Sequence, residues 1–276
     1  MIQTAAFTNL KGGVGKTASA VAIAEALTRD GAGVLLVDLD GQGTLSAWLH
    51  ERSNACRYLL TTGFNPDEHV HTVPTDTGRL DVITSNRSLK KIGSRRPSQL
   101  ASRLERLWDA SEDAYDVGLV DTPPQASGLV TAALLSTSAA LVPVSPGRGS
   151  VDGLQHVMEY TSQIGGAAVK ATWACNVDVR SKLHQRIAPQ LISRLGSIED
   201  GGKAARHYVR STVRVQEAEA AGELLGDYAS SCTAWADYRA LTAELGPVLN
   251  FKTPEVDEGI RATKEDVERY RAAISN

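Results

Sequence analysis

Seven residues near the start of the chain carry its densest chemistry: Lys11-Gly12-Gly13-Val14-Gly15-Lys16-Thr17. A glycine-rich turn of this kind lets backbone N–H groups close around phosphate oxygens. A lysine placed as Lys16 is reaches the β and γ oxygens of a nucleotide, and a hydroxyl placed as Thr17 is ligates Mg2+. Ordinary phosphate-loop spacing asks for a glycine where this chain has Leu10, and Lys11 is a surplus cation inside the loop. Phosphate contacts are expected from Lys11 through Ala18.

Carboxylates complete the set. Asp121 closes the apolar run 117–120, and Asp38 and Asp40 follow the run 33–37 in Val37-Asp38-Leu39-Asp40-Gly41-Gln42-Gly43. In an open α/β sheet, ligands bind outside the carboxyl ends of the strands. Asp121 there holds Mg2+ directly or through water, one of Asp38 and Asp40 assists the metal shell, and the other orients a water. The plainer readings are a turn for Asp40-Gly41 and a turn cap for Asp121.

These groups need strands that stop where the loops begin. Residues 2–9 are short, uncharged and compatible with a strand, and 16–30 are alanine-rich with Val21, Ala24, Leu27 and Thr28 at helical spacing. That order aims a helix N-terminus at the phosphate loop. Further strands are expected at 33–38, 80–84, 115–121, 139–144 and 169–177, several as continuous apolar runs suited to burial on both faces. Helices are expected at 98–110, 126–137, 150–164, 182–195 and 230–245, and loops at 50–79 and 196–205. The alternation predicts an α/β fold: a mostly parallel central sheet with helices on both faces. We expect one domain over residues 1–249 and a helical extension over 250–276, where Val267, Tyr270 and Ile274 form a thin apolar stripe.

Composition narrows the class. The chain has 276 residues, 42% of them hydrophobic, and a net charge of −3. It is long enough for a sizeable core, and only a local patch would attract nucleic acid or membrane. Cys56, Cys175 and Cys232 form no CxxC pair, which argues against zinc, a redox dithiol or a disulfide scaffold and fits a reducing cytoplasm. No secretory h-region and no run of 18 apolar residues is present.

The motifs resemble the ParA/MinD group of deviant Walker ATPases, and within it the ParA partition ATPases. Lys11 to Thr17 is the deviant Walker A, Asp38-Leu-Asp-Gly-Gln-Gly43 is switch I, and Asp121-Thr-Pro-Pro124 is Walker B with switch II. The match runs from residue 2 to about 246. A weaker C-terminal match covers Val213 to Ala218, then Gly222, Tyr228 and Ala234. Gly41 and Thr44 stand where the family usually has proline and asparagine. The phosphate loop begins at residue 11, leaving no room before it for a helix-turn-helix, so operator binding is not expected.

The resemblance implies the P-loop NTPase fold and a homodimer that forms with ATP and Mg2+, Lys11 of one subunit reaching the phosphates held by the other. Asp40 then positions the attacking water, Lys11 and Lys16 stabilise charge on the γ-phosphoryl, and Thr17, Asp38 and Asp121 organise Mg2+. Hydrolysis is slow without a ParB-type centromere-binding partner. The family binds DNA non-specifically as the ATP dimer, which places the protein in the cytoplasm on the nucleoid. Arg180 and Arg214 carry over individually as DNA contacts. Lys182, Arg186, Arg194, Lys203, Arg206 and Arg210 lie between them and make the segment locally basic. An ordinary solvated face is the plainer reading of that segment.

Rival readings lack their signatures. A MinD-like membrane cycle wants a strongly apolar, basic C-terminal helix, and this tail is too acidic. An iron-protein reductase wants cluster cysteines, absent after Asp121, and a tyrosine kinase wants a C-terminal tyrosine cluster. Cargo-positioning relatives share every motif, and a nucleotide-gated scaffold would as well.

Overall fold

A computed structural model of the protein describes residues 2–147, 149–184 and 202–254. Among these, eight strands form one sheet in the order β3-β4-β2-β5-β1-β6-β7-β8. They are β1 (Gln3–Phe7), β2 (Gly33–Asp38), β3 (His71–Val73), β4 (Arg79–Ile83), β5 (Val117–Asp121), β6 (Ala139–Val144), β7 (Val169–Ala174) and β8 (Lys203–Ala204). Every pairing is parallel except β3 with β4. The helices are α1 (Lys16–Arg29), α2 (Thr44–Leu49), α3 (Ala55–Leu60), α4 (Pro66–His69), α5 (Pro97–Ser111), α6 (Gly128–Ser136), α7 (Ser150–Ile164), α8 (Val213–Ala221), α9 (Leu225–Tyr228) and α10 (Thr233–Leu245), with a 3₁₀ turn over Arg87–Lys91. The expected α/β sheet with helices on both faces is present.

Alternation along buried strands divides the core. Ala5 and Phe7 join Leu36, Leu119, Leu141 and Trp173 beneath α1 and α10, while Ala6 joins Leu35, Val37, Val120 and Val142 beneath α5 and α6. Successive strand residues point to opposite faces, so a strand covered on both sides must be apolar throughout.

Register positions the site. Phe7 and Asp38 both stand opposite Asp121, so β1, β2 and β5 end level with one another. The loops that follow these strands therefore open on one edge of the sheet. β1 lies between β5 and β6, where connections leave in opposite directions, which is the crevice such sheets offer to ligands.

Two loop expectations are corrected. Residues 50–79 hold α3, α4 and β3. Ala55, Cys56, Leu59 and Leu60 recur at one-face spacing and are buried, and the Asn65 side chain caps α4 by accepting from the Asp67 amide, with Pro66 in the first helical position. Gly63, Pro66 and Pro74 mark the joints between short elements rather than one long loop. Within 196–205, Lys203–Ala204 pairs with β7 as the edge strand. The strand expected to reach residue 177 stops at Ala174. The helix expected at 182–195 lies outside the described residues beyond 184, as do residues 196–201 and the extension beyond 254.

Candidate functional site

Gly15 shows why the phosphate loop needs glycine. Its φ is 91°, and a Cβ there would stand 2.5 Å from the Cys175 Sγ at the end of β7. Both the left-handed backbone and the close approach exclude any side chain. The loop is pinned at both ends. Asn9 accepts the Lys11 N–H on its Oδ1 (3.0 Å) and donates to the Pro143 carbonyl (2.8 Å), while the Asn176 amide donates to the Gly13 carbonyl (3.1 Å). Asn176 itself has φ 59°. Neither asparagine was singled out from sequence, although each stands two residues beyond the end of a strand at the ligand edge of the sheet.

Lys16 begins α1, is 7% exposed, and its Nζ donates to the Lys11 carbonyl at 3.4 Å. Burial lowers its pKa, and the nearby Asp121 and Asp40 carboxylates pull it back up. The ammonium is thus held where a further negative charge would favour it. Lys11, Gly12 and Gly13 are exposed and Val14 is buried, while Ala18 is half-buried in the first turn of α1.

Thr17 and Asp121 meet: the Thr17 hydroxyl donates to Asp121 Oδ2 at 2.6 Å. Asp121 is 1% exposed, and its other oxygen is buried without a hydrogen-bond partner. Burial is the chief cause of its raised pKa, with the Asp38 carboxylate second. An orphaned buried carboxylate oxygen beside a threonine hydroxyl fits a hard divalent cation such as Mg2+. Among the described residues no group of three or more His, Cys, Asp or Glu is placed to hold a metal. Mg2+ suits such a sparse donor set, because it keeps waters and takes substrate phosphate oxygens as its remaining ligands.

Asp38 sits differently from Thr17 and Asp121. Its Oδ1 accepts the Asp40 N–H (2.9 Å), and its Oδ2 accepts both the Ser46 N–H (3.1 Å) and the Ser46 hydroxyl (2.5 Å). Burial raises its pKa to about 6 despite these bonds. Asp38 therefore shapes the 38–46 loop, and the two expected metal residues that bond to each other are Thr17 and Asp121. Asp40 is half-buried on that loop, with its Oδ1 accepting the Gln42 N–H and its carbonyl accepting from Gly43 and Ser85. Ser46 and Ser85 brace the loop and were missed, since isolated serines carry no motif.

The expected DNA contacts are placed differently from one another. Arg180 and Arg214 are exposed but pair with Asp178 and Glu217 at 3.1 and 2.7 Å. Arg210 is bound through Nε and Nη2 by Asp237 of α10, a carboxylate with no exposure, and Arg206 faces Glu244 at 3.9 Å. Lys182 is exposed. Lys203 lies in β8, and Arg186 and Arg194 lie outside the described residues.

A family model described as an AAA domain matches residues 2–171. The chromosome-partitioning ATPase Soj of Thermus thermophilus is 29% identical over 250 residues, covering 88% of this chain and 95% of its own. The chromosome partitioning protein ParA of Caulobacter vibrioides is 28% identical, covering 88% and 94%. The chain belongs to this AAA-domain family and is a ParA-type ATPase. Solved structures agree on the ParA-type fold. A Cyanothece McdA–ATP complex superposes with a TM-score of 0.74 at 17% identity, covering 92% of this chain and 98% of that one. The septum site-determining protein MinD of Pyrococcus horikoshii, solved with Mg-ADP, gives 0.71 at 18% identity, covering 90% and 97%. This ParA-type ATPase has, among its described residues, no helix long and apolar enough to cross a membrane.

Proposed function

We propose that this ParA-type ATPase is a DNA partition protein. In this reading the ATP-bound homodimer binds DNA non-specifically, and hydrolysis stimulated by a ParB-type partner releases it. The observation that carries the reading is the shared ligand edge where Thr17 bonds Asp121 and Lys16 lies near Asp121 and Asp40, on the loop that begins at Lys11. The partition ATPases among its relatives support the coarser identity.

Water attacks the terminal phosphorus of ATP, the bond to the β-γ bridging oxygen breaks, and ADP and phosphate leave. Backbone N–H groups of residues 12–17 bind the phosphates, and Lys16 stabilises charge that develops on the departing phosphoryl. Asp40 orients the water. Thr17 and Asp121 would hold Mg2+, which when bound supplies charge neutralisation of the phosphates. Lys11 is exposed on the loop, with no ion pair among the described residues. Two facing triphosphates repel, and Lys11 contributed across the interface offsets that charge, so that assembly depends on nucleotide. Arg180, Arg214, Lys182, Arg186, Lys203 and Arg206 are the proposed DNA contacts, while Arg210 is held by the buried Asp237, and the nucleoid in the cytoplasm is the proposed location.

The test is co-sedimentation with duplex DNA in ATP, in ADP and without nucleotide, using wild type and Asp40→Ala. The expected result is ATP-dependent DNA binding that persists in Asp40→Ala while ATP turnover is lost. Equal DNA binding in all three conditions, or undiminished turnover in the variant, refutes the reading. Positioning of a protein cargo, the alternative that the shared motifs leave open, uses the same machinery and differs in the partner.

A further inference from the structure

We infer that a second phosphate-backbone surface lies beside the switch I loop, formed by the 3₁₀ turn Arg87–Lys91 and the residues that follow it. The inference rests on the DNA-binding reading above and adds a contact surface to it. Between Asp81 and Glu105 the chain carries Arg87, Lys90, Lys91, Arg95, Arg96 and Arg103 and no carboxylate. The first five are exposed, and none has a salt bridge among the described residues. The C-terminal basic segment contrasts with this. There Arg180, Arg206, Arg210 and Arg214 each have a carboxylate of this chain within 4 Å, which a phosphate would have to displace. Uncompensated cations release more free energy on meeting a polyanion, because nothing is given up but counterions.

A built wall adjoins these cations. Gln42, Thr44, Arg52, Asn86, Arg87 and Ser88 line a cavity of about 670 Å³. Two guanidiniums, two amides and two hydroxyls, with no carboxylate among them, make a donor-rich lining of the kind that takes phosphate oxygens. The exposed large apolar side chains among the described residues are Tyr58, Val179, Leu183 and Val213, and none lies between residues 86 and 96. A protein partner would need an apolar or aromatic anchor, whereas a phosphate backbone needs only charge and donors. A second copy docking the same face would set like charges against each other.

The surface is joined to the loop that carries Asp40. The Ser85 hydroxyl donates to the Asp40 carbonyl at 2.6 Å, Arg52 Nε donates to the Gln42 carbonyl at 3.1 Å, and a Cβ on Gly41 would stand 3.1 Å from the Lys90 side chain. A shift of the loop with nucleotide state therefore moves groups of the cavity wall. Such a linkage makes phosphate binding at this face depend on the nucleotide.

The experiment measures anisotropy of labelled duplex DNA with the ATP-bound full chain across a salt series. The variant is Lys91→Ala/Arg95→Ala/Arg96→Ala, with labelled polyglutamate as a second probe. The expected result is DNA affinity lowered at least ~10-fold and a slope of log affinity against log salt flatter by about 0.9 for each phosphate no longer neutralised. ATP binding stays intact, and Lys91→Arg/Arg95→Lys/Arg96→Lys keeps the wild-type slope. An unchanged slope and affinity in the alanine variant overturn the proposal while the DNA-binding reading stands. A variant that loses polyglutamate but keeps DNA also overturns it, assigning the face to an acidic protein segment. Wild type that binds no DNA in any nucleotide state defeats the functional reading itself, and this surface with it.

Discussion

The Thr17 hydroxyl donates to Asp121 Oδ2 at 2.6 Å, joining the first turn of α1 to the end of β5 across 104 residues of chain. The partner oxygen of the same carboxylate is left buried and open. If this pair holds Mg2+, Thr17→Ala weakens Mg2+ about 10- to 100-fold. Fluorescent ATP then binds equally well with and without Mg2+, and Thr17→Ser restores the difference. An alanine variant with the wild-type Mg2+ response removes Thr17 from the metal site.

Lys11 is the test of assembly. Among the described residues its side chain has no ion pair, and it is exposed on the loop. Lys11→Ala is expected to bind a non-hydrolysable ATP analogue as a monomer by light scattering, where wild type is a dimer. A variant dimer of undiminished affinity assigns the interface to other residues.

Arg210 separates structure from DNA contact. Its guanidinium is bound by Asp237, a side chain with no exposure. Arg210→Ala removes the guanidinium from that buried carboxylate, which keeps the backbone N–H of residue 210, and is expected to destabilise the fold by about 3 kcal/mol. Arg180→Ala, whose side chain is 89% exposed, leaves the melting temperature where it was. Denaturant unfolding of the two variants distinguishes the roles, and equal stability of both refutes the structural role of Arg210.

Glu25 makes stability depend on pH. Its carboxylate lies inside α1, accepting the Gly226 N–H and pairing with Arg29, yet burial outweighs both and raises its pKa from 4.5 to about 7. The folded state therefore holds this proton more tightly than the unfolded chain does. Its contribution to stability is fully present below about pH 4.5 and is lost as pH rises to about 7, at most about 3 kcal/mol. Glu25→Gln, which still accepts the Gly226 N–H, is expected to lose less stability than wild type over that interval. Parallel melting curves across pH for the two proteins rule out Glu25 as the source.

Much of the site was legible because its signals are local. A phosphate loop is a run of glycines and one lysine at fixed spacing, and Gly15 is needed by its own φ as much as by its neighbours. A buried parallel strand announces itself as an apolar run ending in a carboxylate, which is why Asp38, Asp40 and Asp121 stood out. Residues 50–79 were harder. Elements as short as α4 and β3 carry too few residues for a period to emerge, and their glycines and prolines speak louder than their apolar positions.

The chain by itself determined which groups can bind phosphate and which strands bring them to an edge, since both follow from spacing along the backbone. Tertiary structure alone decided how each group is used. Strand register sets Asp38 and Asp121 level, yet Ser46 claims both the amide and hydroxyl bonds of one Asp38 oxygen while Asp121 keeps an oxygen open. Asp237 and Glu244 engage Arg210 and Arg206 from α10, across 27 and 38 residues of sequence. Charge is written in the sequence, but its neutralisation depends on which distant carboxylate packing brings within a few ångströms.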